Sequence, residues 1–296
     1  MNYGYITVAS AIPSVRVADA DYNIKQIESL IAQAEGKGAE IIVFPELSVT
    51  GYSCQDLFAQ QTLLDQTEMK ILQLLDFSRM LDIICIIGAP VCIGTALYNC
   101  AVVCQHGNIL GIVPKRYLPN YGEFYEKRWF ASADDLDCPI EVRFAGNTIT
   151  VSPDIQLFQT CDGVKFGIEL CEDVWAPVPP SNDIALAGAD IVFNLSASDD
   201  LIGKNAYLKS LLSQQSARLI CGYVYSSMWI CRIRWGRRSD SGRDAGAAPA
   251  VPAGQRWRSG NEIPLRGLLS GYIFGVYYIM VSIIAQRAKN VICGAI

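Results

Sequence analysis

The chain has 296 residues, of which 51% are hydrophobic, so it can bury one large core or two small ones. Its eleven cysteines lie in apolar runs or singly in loops, and it has one histidine, which argues against a disulfide scaffold and a zinc site. The start, MNYGYITVAS, has neither the basic segment nor the apolar segment of a secretory leader. We therefore expect a protein of the reducing cytoplasm.

Charge is distributed unevenly along the chain. Residues 1–227 carry 14 Lys and Arg against 26 Asp and Glu, a net charge of −12. Residues 228–296 carry 10 against 3, a net charge of +7. Such a change predicts a boundary, with a folded domain over 1–227 and an atypical tail over 228–296.

The tail has an unusual composition. Residues 232–266 contain eight arginines and no lysine, and residues 267–286 form a run of 20 without a charge. Three interpretations stay open: a gene segment read out of frame, a membrane helix, and a buried pair of strands. We expect no nucleic-acid role, because no binding motif surrounds the arginines and the first 227 residues are acidic.

Hydrophobic periodicity predicts alternating strands and helices over the first 227 residues. Strands are predicted at 5–9, 40–44, 83–88, 97–104, 109–114, 148–151, 156–160, 165–170, 190–195 and 219–225, and helices at 20–37, 61–80 and 206–218. Hairpins and crossovers both occur in this order, so the pattern favours a layered α/β or α+β domain.

Three candidate catalytic residues follow buried strands. Glu46 comes after the apolar run EIIVF and a proline, Lys115 comes after GIVP, and Cys171 comes after KFGIEL. Because strand ends at one rim of a sheet bring distant segments together, we expect these three side chains to converge.

A carboxylate, an ammonium and a thiol together suit acyl transfer through a thioester. The Glu46 carboxylate can take the thiol proton, while the Lys115 ammonium favours the thiolate and can stabilise an oxyanion. The backbone N–H of Glu172, directly after Cys171, is a candidate second oxyanion donor. No metal ligand is predicted. Each residue taken singly has a simpler interpretation: Cys171 as an inert buried thiol, Lys115 as a solvated lysine and Glu46 as an acid at a helix N-terminus. The prediction therefore depends on the combination of the three.

Three longer motifs carry a family resemblance. FPELSVTGYSCQDLF (44–58), PKRYLPNYGEFYEKRWF (114–130) and GIELCEDVWAP (167–177) resemble the Glu, Lys and Cys motifs of the nitrilase, or carbon–nitrogen hydrolase, superfamily. Together with NLSASDDLIGKNAYLK (194–209), they are most similar to the glutaminase domains of glutamine-dependent NAD⁺ synthetases. The resemblance covers about residues 3–227.

The resemblance implies an α/β (α+β) fold, a four-layer α-β-β-α sandwich. It implies that Cys171 is the nucleophile, that Glu46 is the general base and that Lys115 stabilises the oxyanion and the intermediate. Glutamine would be hydrolysed to glutamate and ammonia through a thioester, without a metal or an organic cofactor.

The resemblance also implies roles for the surrounding residues. Glu123 matches a supporting glutamate near the catalytic site. Tyr121, Ser198 and Lys204 match glutamine-binding positions, and Trp175 would form a wall of the pocket. Lysine at 204 keeps the charge of the arginine that the family often has there, but it loses the bidentate fork for a carboxylate.

The partners follow from the same resemblance. Ammonia would pass to a synthetase domain or subunit that amidates deamido-NAD⁺ with ATP and Mg²⁺, and the phosphate-binding motif of that domain does not occur here. We expect the ammonia-producing half alone, assembled as a homo-oligomer, with lost edge strands that lower its stability. Two alternatives stay open: another amide or nitrile hydrolase, and an inactive truncated fragment, tethered to a membrane if residues 267–286 span it.

Overall fold

A computed structural model describes residues 5–199, 201, 203–229 and 272–280. The strands are β1 (Tyr5–Ile12), β2 (Ile41–Val43), β3 (Ile84–Ile93), β4 (Ala96–Gln105), β5 (Asn108–Pro114), β6 (Ile140–Phe144), β7 (Asn147–Val151), β8 (Leu157–Gln159), β9 (Lys165–Leu170), β10 (Ile191–Ser198), β11 (Gly222–Trp229) and β12 (Tyr272–Met280). The helices are α1 (Ala20–Glu35), α2 (Gln61–Ser78), α3 (Pro180–Leu186) and α4 (Lys204–Leu219).

Two main sheets form the centre of the fold. One has the order β12-β1-β2-β3-β4-β5 and the other has the order β11-β10-β9-β8, while β6 and β7 form a separate hairpin. β1, β2 and β3 pair in parallel, as do β9, β10 and β11, and β3, β4 and β5 form an antiparallel meander.

The core between the sheets is made of aliphatic and aromatic side chains from alternate strand positions. It includes Val8, Ile41, Val43, Ile86, Val103, Phe166, Ile168, Leu170, Phe193 and Leu195. A second cluster joins α1 and α2 to the outer face of the six-stranded sheet, and α3 packs outside the four-stranded sheet. The predicted α-β-β-α sandwich is confirmed.

Helix α1 shows how the sequence builds these layers. Asp19 begins the helix, because its carboxylate accepts a hydrogen bond from the Tyr22 N–H at 3.0 Å. Ile24, Ile27 and Ile31 then recur at helical spacing and are fully buried. Burial of this stripe against the six-stranded sheet fixes the helix as its outer layer.

Most predicted elements are present, with bounds that shift by a few residues. The strand at 165–170 is found as predicted, and the helix predicted at 206–218 begins two residues earlier, at Lys204. β6 and α3 were not predicted. β6 carries only alternate buried positions over five residues, and α3 has seven residues that begin at Pro180, so neither is long enough to show a clear period.

Part of the tail joins the fold. β12 pairs antiparallel with β1, from Tyr5 opposite Met280 to Ile12 opposite Tyr272, so β1 is not an edge strand. This part of the uncharged run is a strand, and in the described portion of the chain no helix is both long and apolar enough to cross a membrane. The remainder of 230–296, including the arginine-rich segment, lies outside the described residues, and the boundary near residue 227 stays a prediction.

The fold brings the three predicted catalytic residues to one rim of the sandwich. Glu46 lies three residues beyond the end of β2, and Lys115 and Cys171 directly follow β5 and β9. The segment that carries Glu46 crosses over Gly88 of β3, where a Cβ atom would lie 2.3 Å from the Leu47 nitrogen and 2.5 Å from the Pro45 oxygen. Only glycine at position 88 permits this approach.

We expect Gly88→Ala to displace the segment that carries Glu46. Forced overpacking of this kind costs about 1–3 kcal/mol, so the midpoint of thermal unfolding should fall by several degrees. Gly36→Ala is the matched control, because its added Cβ would lie 3.4 Å from the Ala32 oxygen, an ordinary contact. Equal unfolding midpoints for the two variants would contradict the role given to Gly88.

Candidate active site

Glu46 is fully buried and makes hydrogen bonds through both carboxylate oxygens. Its Oε1 accepts from Asn99 Nδ2 at 2.7 Å and from Lys115 Nζ at 2.6 Å. Its Oε2 accepts from the Ala197 N–H at 3.0 Å. Burial raises the pKa of Glu46 to about 7, although the Lys115 ammonium opposes the shift. A carboxyl with this pKa can both take and return a proton near neutral pH.

Lys115 is also fully buried and binds two carboxylates. Its backbone N–H donates to the Asn99 oxygen at 2.8 Å, which fixes the chain at the end of β5. Its Nζ donates to Glu46 at 2.6 Å and to Glu126 Oε1 at 2.8 Å. Burial disfavours the charged amine, but Glu126 and then Glu46 outweigh it and raise the pKa of Lys115 well above its usual value. The amine therefore keeps its proton near neutral pH.

The second glutamate that binds the Lys115 amine is Glu126 rather than Glu123, and the supporting role of Glu123 stays a prediction. Glu126 is buried and also accepts from the Tyr52 hydroxyl at 2.6 Å, whereas Glu123 is exposed. The 3-10 turn Glu126–Arg128 turns Glu126 inward, four residues before the buried Phe130. Both glutamates lie in one motif, so no sequence signal separates them and the packing of the loop decides.

Cys171 ends β9 in a backbone conformation that is rare for a side-chain-bearing residue, with φ of +42°. Its N–H donates to Asn194 Oδ1 at 3.1 Å, and its sulfur lies 3.7 Å from the Ala197 oxygen. Ser196 Oγ donates to the sulfur at 3.1 Å. Burial, followed by the charge of Glu46, raises the pKa of the Cys171 thiol. The group is therefore a thiol at rest and needs a base.

Buried polar groups hold this strained turn in place. Asp173 accepts from the Leu170 N–H at 2.9 Å and from the Tyr117 N–H at 2.8 Å, so it ties the turn to the loop after Lys115. Burial raises the pKa of Asp173 to about 7. These bonds couple the loop after Lys115 to the segment that carries the thiol.

Asn194 is fixed on its other side. Its Nδ2 donates to the Tyr223 hydroxyl at 3.1 Å, and that hydroxyl donates to the buried Glu169. Since the Cys171 N–H is already bound to Asn194, the Glu172 N–H is the next backbone donor along the turn. The first N–H groups of a helical turn have no partner within the turn, and the oxyanion role of the Glu172 N–H stays a prediction.

Two of the predicted substrate-binding residues, Tyr121 and Trp175, line one cavity. Tyr121 is exposed and its hydroxyl donates to Glu172 Oε1 at 2.9 Å. Trp175 stacks on Tyr207 with ring centroids 5.6 Å apart. A cavity of about 430 Å³ is lined by Tyr121, Glu172 and Trp175, together with residues of the loop after Lys115.

Ser198 and Lys204 lie outside the lining of that cavity. The Lys204 amine forms an ion pair with Asp199 and lies 5.8 Å from the centroid of the Trp175 ring. Ser198 Oγ donates to the Asp199 oxygen at 3.4 Å. Lys204 is therefore near the predicted pocket, but its charge is already paired.

The chain matches a family model and several characterised relatives. The model for carbon–nitrogen hydrolases matches residues 7–236. Over 227 residues the chain is 37% identical to the glutamine-dependent NAD(+) synthetase of Mycobacterium tuberculosis, covering 76% of this chain and 33% of that protein. It is 33% identical over 220 residues to the Arabidopsis thaliana protein of the same name, covering 72% of this chain and 30% of that protein. The chain thus spans about a third of the length of the curated relatives it matches.

Solved structures agree with this fold. A glutamine-dependent NAD(+) synthetase from Cytophaga hutchinsonii superposes with a TM-score of 0.66 at 28% identity, covering 75% of this chain and 36% of that one. An amidase from Nesterenkonia sp. AN1 superposes with a TM-score of 0.59 at 20% identity, covering 75% and 78% of the two chains, which is a likeness of fold alone. On the family match and the buried Glu46, Lys115 and Cys171, this chain belongs to the carbon–nitrogen hydrolase family.

Proposed function

We propose that the chain is a glutamine amidohydrolase that releases ammonia through a thioester on Cys171. One observation carries the proposal: a buried carboxylate, a buried ammonium and a buried thiol converge at one rim of the sandwich. The relatives named as glutamine-dependent NAD(+) synthetases support glutamine as the source of the amide.

Glu46 acts as the general base in this proposal. Ala197 joins base and nucleophile, because its N–H donates to Glu46 and its oxygen lies against the Cys171 sulfur. Glu46 takes the thiol proton as the sulfur attacks the amide carbon, and it then gives that proton to the departing ammonia. Water activated by Glu46 cleaves the thioester and releases glutamate.

Two donors stabilise the oxyanion. The Lys115 ammonium has two of its three N–H groups bound to Glu46 and Glu126, which leaves one for the substrate oxygen. The Glu172 N–H supplies the other, since the N–H of Cys171 is held by Asn194. Loss of one such donor typically costs ~10²–10³ in rate.

Glu126 has a second function beyond holding the amine. Its Oε2 is buried and has no hydrogen-bond partner among the described residues. A buried acceptor of this kind is costly unless something binds it. In this proposal, Glu126 Oε2 accepts an N–H of the substrate amide and then of ammonia.

Tyr121, Glu172 and Trp175 bind the amino-acid end of glutamine at the cavity, with Ser198 and Lys204 next to them. The ammonia then serves amidation of deamido-NAD⁺ by a synthetase domain or subunit that uses ATP and Mg²⁺. The hydrolytic steps themselves involve only groups of this chain and water.

We expect the purified chain to release glutamate and ammonia from glutamine in equal amounts, and Cys171→Ala to lower turnover by at least about 10⁴-fold. Cys161→Ala is the control, because that cysteine is exposed and lies in the loop between β8 and β9. Turnover would be followed by enzymatic detection of both products, and the folding of each variant by circular dichroism.

A substrate panel separates the alternatives. A folded chain that hydrolyses small aliphatic amides or nitriles faster than glutamine would be another hydrolase of the superfamily. A folded chain that hydrolyses none of them would be an inactive fragment, and the proposal would be wrong.

We expect Lys115→Met to destabilise the fold by about 3–5 kcal/mol at pH 8, because two buried carboxylates lose their cation. The loss should shrink toward pH 5. A carboxyl whose pKa is higher in the folded chain binds its proton more tightly there, and the pKa of Glu46 is already raised from 4.5 to about 7 with Lys115 present. Removal of the ammonium raises it further, so acid favours the folded variant.

Urea unfolding at pH 8 and pH 5 measures this difference. Lys25→Met is the control, since that exposed lysine pairs with the exposed Asp21, and its unfolding midpoint should stay near that of the unchanged chain at both pH values. If Lys115→Met lost the same free energy of unfolding at pH 8 and at pH 5, the loss could not be attributed to the negative charge left on Glu46 and Glu126.

A further inference from the structure

The Cys171 sulfur is contacted from a side that the hydrolytic steps above do not use. Phe193 and Leu195 of β10 point into the core between the sheets. Asn194 and Ser196 alternate with them, so they point to the opposite face of the sheet. Ser196 reaches the sulfur from there at 3.1 Å, whereas Glu46 and Lys115 follow strands of the six-stranded sheet.

Ser196 is itself held by a tyrosine of the neighbouring strand. The Tyr225 hydroxyl donates to Ser196 Oγ at 2.6 Å. Tyr225 lies opposite Asn194 in the β10–β11 register, so it is the diagonal neighbour of Ser196 on the same face. Burial and the charge of Cys171 raise the pKa of Tyr225, so its hydroxyl keeps the proton that it donates.

The direction of these bonds is fixed by the number of protons. A serine hydroxyl has one proton, and a thiolate can only accept. Because Tyr225 donates to the Ser196 oxygen, the Ser196 proton is directed at the sulfur. A hydroxyl that accepts a hydrogen bond becomes a stronger donor, so the two bonds reinforce each other.

We propose that Ser196 and Tyr225 form a hydroxyl relay that stabilises the Cys171 thiolate, both when it attacks and when it leaves the thioester. Ser196 is a catalytic residue because it touches the reacting sulfur, and Tyr225 is a positioning residue that acts through it. The relay moves no proton, since the thiol proton passes to Glu46. The inference rests on the proposed function only in taking Cys171 as the nucleophile.

The test is the rate at which iodoacetamide labels Cys171, read from the mass of the peptide that contains it, between pH 6 and pH 9. Ser196→Ala should label roughly 10- to 100-fold more slowly than the unchanged chain, as expected for loss of a hydrogen bond to a charged group. The rate should still rise through pH of about 7, where Glu46 titrates, because the base is untouched. Ser196→Thr restores a hydroxyl and should recover most of the rate.

Two controls distinguish a specific effect of Ser196 on Cys171 from a general loss of structure. Ser226→Ala removes a buried hydroxyl of the same strand as Tyr225, one that donates to the Ala11 oxygen at 3.1 Å, and should label at the unchanged rate. The exposed Cys138 and Cys161 are internal references within every variant, and their labelling should not change.

Tyr225→Phe tests the second member. It should slow labelling by roughly two- to tenfold, the effect of one neutral hydrogen bond, and the double variant with Ser196→Ala should match Ser196→Ala alone. Additive effects, or labelling of a folded Ser196→Ala chain at the unchanged rate, would overturn the relay. Because the assay uses no glutamine, its result is independent of whether glutamine is the substrate.

Discussion

The site depends on one buried ammonium between two buried carboxylates. Lys115 binds Glu46 and Glu126 where none of the three is reached by solvent. Charges in such surroundings persist only when they are paired and hydrogen-bonded. Asn99 and Ala197 donate to Glu46, and Tyr52 donates to Glu126 Oε1. In the proposed mechanism, this arrangement fixes the base, its proton affinity and the position of the oxyanion donor together.

Both sheets of the sandwich are needed to form this site. Each sheet contributes part of the site, because Glu46 and Lys115 follow strands of the larger sheet and Cys171 follows a strand of the smaller one. The thiol is then held in a strained turn by Asn194 and the Asp173 carboxylate. The packed core between the sheets supplies the rigidity that such strain requires. A shift of one sheet against the other would separate Glu46 from Cys171.

Much of the fold and the positions of Glu46, Lys115 and Cys171 were predictable from the ends of buried strands and from the sequences of the motifs. Apolar runs such as EIIVF and KFGIEL indicate where a buried strand ends. Glu46 and Cys171, which come just after these two runs, lie at the rim of the sandwich. The identity of the second glutamate was not predictable in the same way, because Glu123 and Glu126 lie in one loop and only its tertiary packing selects Glu126. The contact of Ser196 with the sulfur and the bond from Tyr225 to Ser196 were not predictable either, since they depend on the register of β10 and β11. Strand β12 was ambiguous because a run without charge carries no period that separates strand from helix.

The most direct test of this account is the pH dependence of Cys171 labelling by a chloroketone analogue of glutamine, in the unchanged chain and in Glu46→Gln. The account predicts labelling at Cys171 that glutamine prevents, with a rate that rises through pH of about 7 and loses this step in Glu46→Gln. A rate that rises only near the ordinary thiol pKa of ~8.5 in both proteins would contradict a thiol activated by the buried glutamate.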